Sequence, residues 1–337
     1  MLRGHTPLLS IEITRECPLQ CPGCYAYGSN HLGGEVTLRQ LSDKRGDDLV
    51  RGVLDLVDRH KPLHVTLVGG EPMVRHRELS AILPELSRRG IYTMVVTSAI
   101  IPIPMEWLNL PRFIIAVSID GLPEHHDVRR HPATYERILS NLAGRTVNVH
   151  WTITAQMLAR PGYLEEYVRF WSERDETRNI WVSLYTPQRG EQSPERLSAA
   201  QREFIARELP LLRTRFPKLL TPEGYAHALL HPPASPKKCT FSRLSKNYSA
   251  DLRTHVEPCV FGGDPDCSQC GCSASASAHW ISEINVAGPL KAKHLLHSSM
   301  SIGSMVARLR PMPLPAWRER EGAVPDREED LVQISMD

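Results

Sequence analysis

The chain has 337 residues, with 40 lysines and arginines against 38 acidic residues and a net charge of +2. So even a balance supplies no basic field of the kind that nucleic-acid or anionic-membrane binding needs. At 41% hydrophobic and 23% charged residues the chain can bury a sizeable core, and no apolar run approaches the roughly 18 residues that span a bilayer.

Six short apolar, β-rich runs mark the first two thirds of the chain: Leu8–Thr14, His64–Val68, Tyr92–Ser98, Phe113–Asp120, Val147–Thr154 and Ile180–Thr186. Helical spacing fills the intervals, over Leu38–Arg59, Arg75–Arg89, a short remnant at Pro104–Leu108, Ala133–Ala143 and Pro161–Glu173. A further helix is predicted at Leu197–Arg215. Strand–helix alternation implies an α/β fold with a parallel sheet and right-handed crossovers. Six βα units are two short of a closed barrel, so an open six-stranded partial barrel and a doubly wound sheet both satisfy the pattern. A boundary near 216–238 divides residues 1–215 from a cysteine-rich segment, 216–310. Residues 311–337, rich in Pro, Arg and acids, are expected to form a loose tail. Met300, Met305, Val306 and Leu309 recur near helical spacing, which core packing explains more simply than a membrane-facing helix.

The eight cysteines are unevenly placed. Cys17, Cys21 and Cys24 stand at one end, and Cys239, Cys259, Cys267, Cys270 and Cys272 at the other. The N-terminus, Met-Leu-Arg-Gly-His-Thr-Pro, carries no apolar stretch of a signal peptide, so a cytoplasmic protein with metal-binding thiols is expected rather than a disulfide framework. Cys17, Cys21 and Cys24 follow the first strand, on the carboxyl edge where α/β folds build active sites. Three soft thiolates on one loop suit an iron–sulfur cluster whose fourth iron stays open. A structural zinc is the competing reading and wants a fourth ligand, for which His31 is the nearby candidate.

Cys17-Pro-Leu-Gln-Cys21-Pro-Gly-Cys24 with Tyr25 beside it, followed by Gly69-Gly70-Glu71-Pro72 after the second strand, resembles the radical SAM superfamily over about residues 8–190. The resemblance implies an open (β/α)6 partial TIM barrel with a small cysteine-rich C-terminal domain. It also implies a [4Fe-4S] cluster that takes the amino and carboxylate groups of S-adenosylmethionine (SAM) at its open iron. Reductive cleavage then gives methionine and a 5′-deoxyadenosyl radical that abstracts a substrate hydrogen, with an electron donor such as flavodoxin or ferredoxin.

Gly69 and Gly70 would leave backbone bare where a Cβ would obstruct a ligand, Glu71 would accept from the methionine ammonium, and Pro72 starts the exit from the turn. Ser98, Ser118 and Asp120, at the ends of the third and fourth strands, lie where family members contact ribose and methionine. His126-Asp127-Val128-Arg129-Arg130 resembles the segment carrying an arginine for the SAM carboxylate, and register favours Arg130. Adjacent arginines on a loop are otherwise simply solvated.

Strand parity supplies substrate-side candidates. Asn148, His150, Thr152 and Thr154 share one face of the fifth strand, opposite Val147, Val149, Trp151 and Ile153. A helix-coated barrel buries the apolar face outward and turns His150 and Thr152 inward. The same parity groups Ser183 with Tyr185, and Ser10 with Glu12 and Thr14. His150, Tyr185 and Glu12 are the candidates for binding substrate or moving protons. The alternative is that these groups satisfy one another in a polar core.

Near the C-terminus, Asn247–Pro258 is predicted to be a β-hairpin, and the five cysteines exceed the four that one metal or cubane needs. The segment Tyr248–Cys259 resembles the hairpin of SPASM and twitch domains, the auxiliary-cluster modules of many radical SAM enzymes. It departs from them in having Thr254 where a glycine is usual and in lacking the full seven-cysteine set. The resemblance implies a second [4Fe-4S] cluster on Cys239, Cys259, Cys267 and either Cys270 or Cys272; a zinc knuckle competes. The substrate implied is a peptide or small molecule. The alternatives are an adenosyl-transferring or carbon–carbon bond-forming enzyme acting on a lipid, and a non-catalytic iron–sulfur or zinc protein, against which Gly69–Pro72 argues. With 16 residues ahead of Cys17, a leader-peptide recognition module is expected to be a separate protein.

Overall fold

The computed structural model describes residues 6–22, 24–27, 31, 42–132, 134–288, 290–296 and 298. The start of the first predicted helix at 38–41, Ala133, the apolar stripe Met300–Leu309 and the predicted tail 311–337 lie outside the described residues.

The described elements run in the order β1 (Leu8–Glu12), α1 (Gly46–His60), β2 (His64–Val68), α2 (His76–Arg88), β3 (Tyr92–Thr97), β4 (Phe113–Ser118), α3 (Pro123–Arg129) and α4 (Tyr135–Leu142). They continue with β5 (Val147–Ile153), α5 (Tyr163–Ser172), β6 (Thr177–Leu184), α6 (Ala199–Arg215), α7 (Glu223–Leu230), α8 (Thr240–Leu244), β7 (Ser245–Tyr248), α9 (Ser273–Glu283), β8 (Asn285–Ala287) and β9 (Leu290–Lys291). Strands β1 to β7 form one open parallel sheet in the order β6-β5-β4-β3-β2-β1-β7. The six predicted strands are the first six of these, and the predicted remnant near 104–108 is a 3-10 turn, Met105–Asn109.

A seventh strand comes from the segment read as cysteine-rich. β7 pairs in parallel with β1, Leu8 opposite Ser245 and Ser10 opposite Asn247. The predicted hairpin is its continuation, with Ser249 N–H donating to Thr254 O at 2.8 Å and Val256 N–H to Asn247 O at 3.0 Å.

Helix α1 shows why the elements form. Leu49, Val53, Leu56 and Val57 fall on one stripe and are buried, and Lys61 ends the helix in the left-handed region at φ 45°. Helix α6 starts with a reciprocal capping box between Ser198 and Gln201. Each strand contributes its β-branched and aromatic face to the layer beneath the helices. Val147, Val149, Trp151 and Ile153 join Tyr167 and Trp171 there, and Trp151 stacks on Tyr167 with ring centroids 3.9 Å apart. On β2, β3 and β5 that face is buried, while the opposite, concave face keeps partial exposure at Thr66, Met94, Val96, His150 and Thr152. Among the described residues no helix is long and apolar enough to cross a membrane.

Candidate active site

The loops leaving β1 to β6 converge at the carboxyl edge of the sheet. The cysteine loop after β1 is held on two sides. Ile13 N–H donates to Val68 O at 2.7 Å, Gly70 N–H to Thr14 O at 2.7 Å and Glu71 N–H to Glu16 O at 2.8 Å, while Gln20 N–H donates to His131 O at 2.7 Å. A Cβ on Gly69 would stand 2.3 Å from Thr14 O, and one on Gly70 would stand 2.3 Å from Glu16 O. Gly69 also has φ 140°, a conformation that disfavours a side chain. The close protein neighbour of both glycines is therefore the chain's own cysteine loop.

Glu71 is buried and fully engaged. One oxygen accepts from Thr97 Oγ1 at 2.6 Å and Met73 N at 3.0 Å. The other accepts from Ser98 N at 2.8 Å and from the Ser98 hydroxyl. Ser98, a sequence candidate in its own right, is thus the partner of another candidate. Thr97 was not anticipated.

Asp120, wholly buried, lies beyond the end of β4. Its Oδ2 receives Arg129 Nη1 and Arg130 Nε, each at 2.9 Å, and its Oδ1 receives the Thr152 amide at 3.0 Å. Burial alone would raise this carboxyl, but the guanidinium groups of Arg130 and Arg129 overcome it and hold it well below the usual carboxylate range. The two arginines are not solvated loop residues: they end α3, largely covered, and Arg129 also reaches Glu195 Oε1 at 2.8 Å. Against its own burial, Arg130 has its pKa raised by the Asp120 carboxylate.

All eight cysteines are free, and they fall into two neighbourhoods. Cys17, Cys21 and Cys24 interact electrostatically with one another; burial pushes the Cys17 thiol up to about 11 and raises Cys21. In the C-terminal segment burial pushes Cys259 up to about 12 and Cys267 to about 11 and raises Cys270, with neighbouring cysteines adding in the same direction. Cys272 interacts with Cys270 and Cys259. Among the described residues no group of three or more His, Cys, Asp or Glu side chains is gathered to hold a metal ion as it stands. Ser242 N–H donates to Cys239 Sγ at 3.5 Å, and Ser275 Oγ stands 3.3 Å from the same sulfur.

His31 does not join the first thiol group. Its Nε2 donates to Glu12 Oε1 at 2.7 Å and its Nδ1 to Phe261 O at 2.9 Å. Burial pulls this imidazole down, but the Glu12 carboxylate outweighs it and raises the pKa. With both ring nitrogens facing acceptors, the imidazolium is the form that fits. Ser249 Oγ donates to the other Glu12 oxygen at 2.8 Å, so Glu12 is occupied by a structural pair that ties β1 to the C-terminal hairpin. Tyr185 is likewise engaged, donating its hydroxyl to Glu191.

His150 stands apart from these. It lies on the concave face in register with Ser118 and Trp181, and its Nε2 meets Ser183 Oγ at 2.8 Å. Burial, helped by Arg130 and Arg129, pushes its pKa down to about 4, so the ring is neutral at pH 7. Ser183 also accepts the Ser273 amide at 3.1 Å, next to Cys272. Just before it, Leu184 N–H donates to Gly271 O at 2.9 Å and Gly271 N–H to Thr186 Oγ1 at 2.8 Å. The end of β6 is thereby stitched to the second cysteine group.

Residues 11–169 match the family model described as the radical SAM superfamily. A PqqA peptide cyclase from Rhodopseudomonas palustris is 36% identical over 91 residues, 27% of this chain and 22% of that protein. The PqqA peptide cyclase of Bradyrhizobium diazoefficiens is 33% identical over 91 residues, with the same 27% and 22% coverage. The match thus spans 22% of the length of these curated relatives. Among solved structures, Streptococcus suis SuiB bound to precursor peptide SuiA aligns with a TM-score of 0.55 at 15% identity, covering 77% of this chain and 60% of that one. That likeness is one of fold.

Proposed function

The chain carries a radical SAM domain over residues 11–169, and from that premise we propose that it is an enzyme performing radical chemistry on a peptide. The observation that carries the reading is the cysteine loop itself. Three free thiols stand at the carboxyl edge of an open parallel barrel, and His31, the nearby candidate for a fourth ligand among the described residues, is turned to Glu12 and Phe261. Such a donor set suits a [4Fe-4S] cluster with one iron left for SAM. When bound, the cluster and SAM supply one-electron cleavage to a 5′-deoxyadenosyl radical that takes a substrate hydrogen.

The chain's own residues have separable tasks in this reading. Cys17, Cys21 and Cys24 hold the cluster, with Tyr25 beside them at the cofactor. Gly69, Gly70 and Pro72 shape a turn that fixes the cysteine loop and would border the methionine end of SAM. Glu71, oriented by Thr97, Met73 N–H and Ser98, would accept from the methionine ammonium of SAM. Arg130 would hold the SAM carboxylate, and Arg129, also paired with Asp120, would keep a counter-charge on that buried aspartate. Ser118 lines the same edge.

On the substrate side His150 is the free candidate, a neutral imidazole held by Ser183. Glu12 and Tyr185 act through the partners they already have. The peptide assignment draws support from the relatives named PqqA peptide cyclase. A second cluster would be held by Cys239, Cys259, Cys267 and Cys270, with Cys272 the alternative to Cys270, within a domain of about 216–310. An electron donor such as flavodoxin or ferredoxin and a cytoplasmic setting, which keeps all eight thiols reduced, complete the proposal.

Anaerobic iron–sulfur reconstitution followed by SAM and dithionite tests it. The expected result is release of 5′-deoxyadenosine, abolished in the Cys17→Ala/Cys21→Ala/Cys24→Ala protein. SAM cleavage that survives in that variant overturns the assignment.

A further inference from the structure

Arg202, four residues beyond the Ser198 cap of α6, is 6% exposed. Its guanidinium spends its donors on backbone carbonyls alone: Gln269 O at 3.1 Å, Cys270 O at 3.0 Å and Leu229 O at 2.5 Å. Among the described residues no carboxylate stands at ion-pair distance from it; Asp266 acts on it only from farther off and is itself paired with Arg196 Nη2 at 3.1 Å. Arginine does not give up its proton in a protein, and a buried cation with no anion in contact costs several kcal/mol. A set of protonated thiols supplies no anion. Four thiolates on a cubane do, and they carry a net negative charge that backbone dipoles and nearby cations must balance.

We propose that Arg202 is the built-in counter-cation of the auxiliary iron–sulfur cluster, clamping the Gln269–Cys270 backbone from behind and easing the cluster's reduction. The inference rests on the auxiliary-cluster reading above. Reduction adds one electron to the cluster and breaks no bond; the fixed positive charge favours the more negative, reduced state. Ser242 N–H and Ser275 Oγ at Cys239 act in the same sense, as donors that strengthen when the sulfur carries charge.

The test uses full-length protein in the Cys17→Ala/Cys21→Ala/Cys24→Ala background, so that any iron belongs to the C-terminal site. Iron and sulfide are quantified after reconstitution, and the midpoint potential is read by EPR-monitored titration. Arg202→Gln is expected to lower the potential by about 59 mV, a tenfold change in a one-electron equilibrium. Arg202→Lys, which keeps the charge but not the fork, is expected to remain within half of that from the parent. A fully loaded Arg202→Gln protein with the parent's potential overturns the proposal. If Arg202→Gln does not load, Arg202→Lys decides: loading with near-parent potential supports the charge role, and failure alongside Arg202→Gln overturns it. Absence of iron from the parent background defeats the auxiliary-cluster reading itself, a different failure read from the metal analysis alone.

Discussion

The amide of Gly70 donates to the carbonyl of Thr14 at 2.7 Å, which makes the turn after β2 and the loop after β1 one backbone unit. A methyl group on Gly70 would sit 2.3 Å from Glu16 O, and neither side of that clash is a side chain that can rotate away. Gly70→Ala should therefore lower stability by roughly 2 kcal/mol or more and cut iron at the N-terminal site to less than half. Iron analysis with a thermal melt checks both. Wild-type iron and melting point in this variant would mean that the two backbones part freely.

The fifth C-terminal cysteine is open to a direct comparison. With the three N-terminal cysteines changed to alanine, Cys272→Ala should retain the iron of the C-terminal site, because Cys239, Cys259, Cys267 and Cys270 supply a full set of ligands. Cys270→Ala should lose most of it. The reverse order of iron contents would exchange the two assignments.

Acid sensitivity should have an identifiable source. His126 Nδ1 accepts the Asp120 amide at 3.1 Å, a bond that only the neutral ring makes, and burial together with Arg130 pushes its pKa down to about 4. The unfolded chain takes that proton near 6.5, so between about 6.5 and 4 the unfolded state binds more protons. Stability contributed by the neutral ring is present above 6.5 and declines as pH falls through that window, by up to about 1.4 kcal/mol per pH unit. His60 and His150, also pushed down to about 4, act in the same direction. Denaturant midpoints measured from pH 7 to pH 4 should fall, and His126→Asn should flatten the slope. An unchanged slope would show that this ring is not held neutral.

What could be seen beforehand follows the range of the interactions. Six strands were legible because each is a short β-rich run with its own turn signals, and the inward set on β5 follows from parity alone. The seventh strand, Ser245-Lys-Asn-Tyr, is four residues long and barely apolar, and its stability comes from β1, a partner far away in sequence. Helix α3 is only two turns long and begins at Pro123, so it offered no periodic stripe. The cysteine and Gly-Gly-Glu-Pro motifs were legible as local spacings. Glu71 with Ser98, Asp120 with its two arginines, Glu12 with His31 and Ser249, and Arg202 behind Cys270 are pairings made by the fold. Arg202 left one trace, as a basic residue on a helix otherwise read for its apolar positions, and nothing in its neighbours in sequence marked it for burial.

The register of Leu8 with Ser245 also fixes an order of events. At ribosomal speeds of roughly 5–20 residues per second, β1 emerges at least about ten seconds before the strand that completes its outer edge. Throughout that interval the strand feeding the cysteine loop is the open rim of the sheet, the kind of edge that invites mispairing between nascent chains. Production of the protein cut before residue 245 should accordingly give aggregates rather than a smaller barrel, and slower translation should make heavier demands on chaperones.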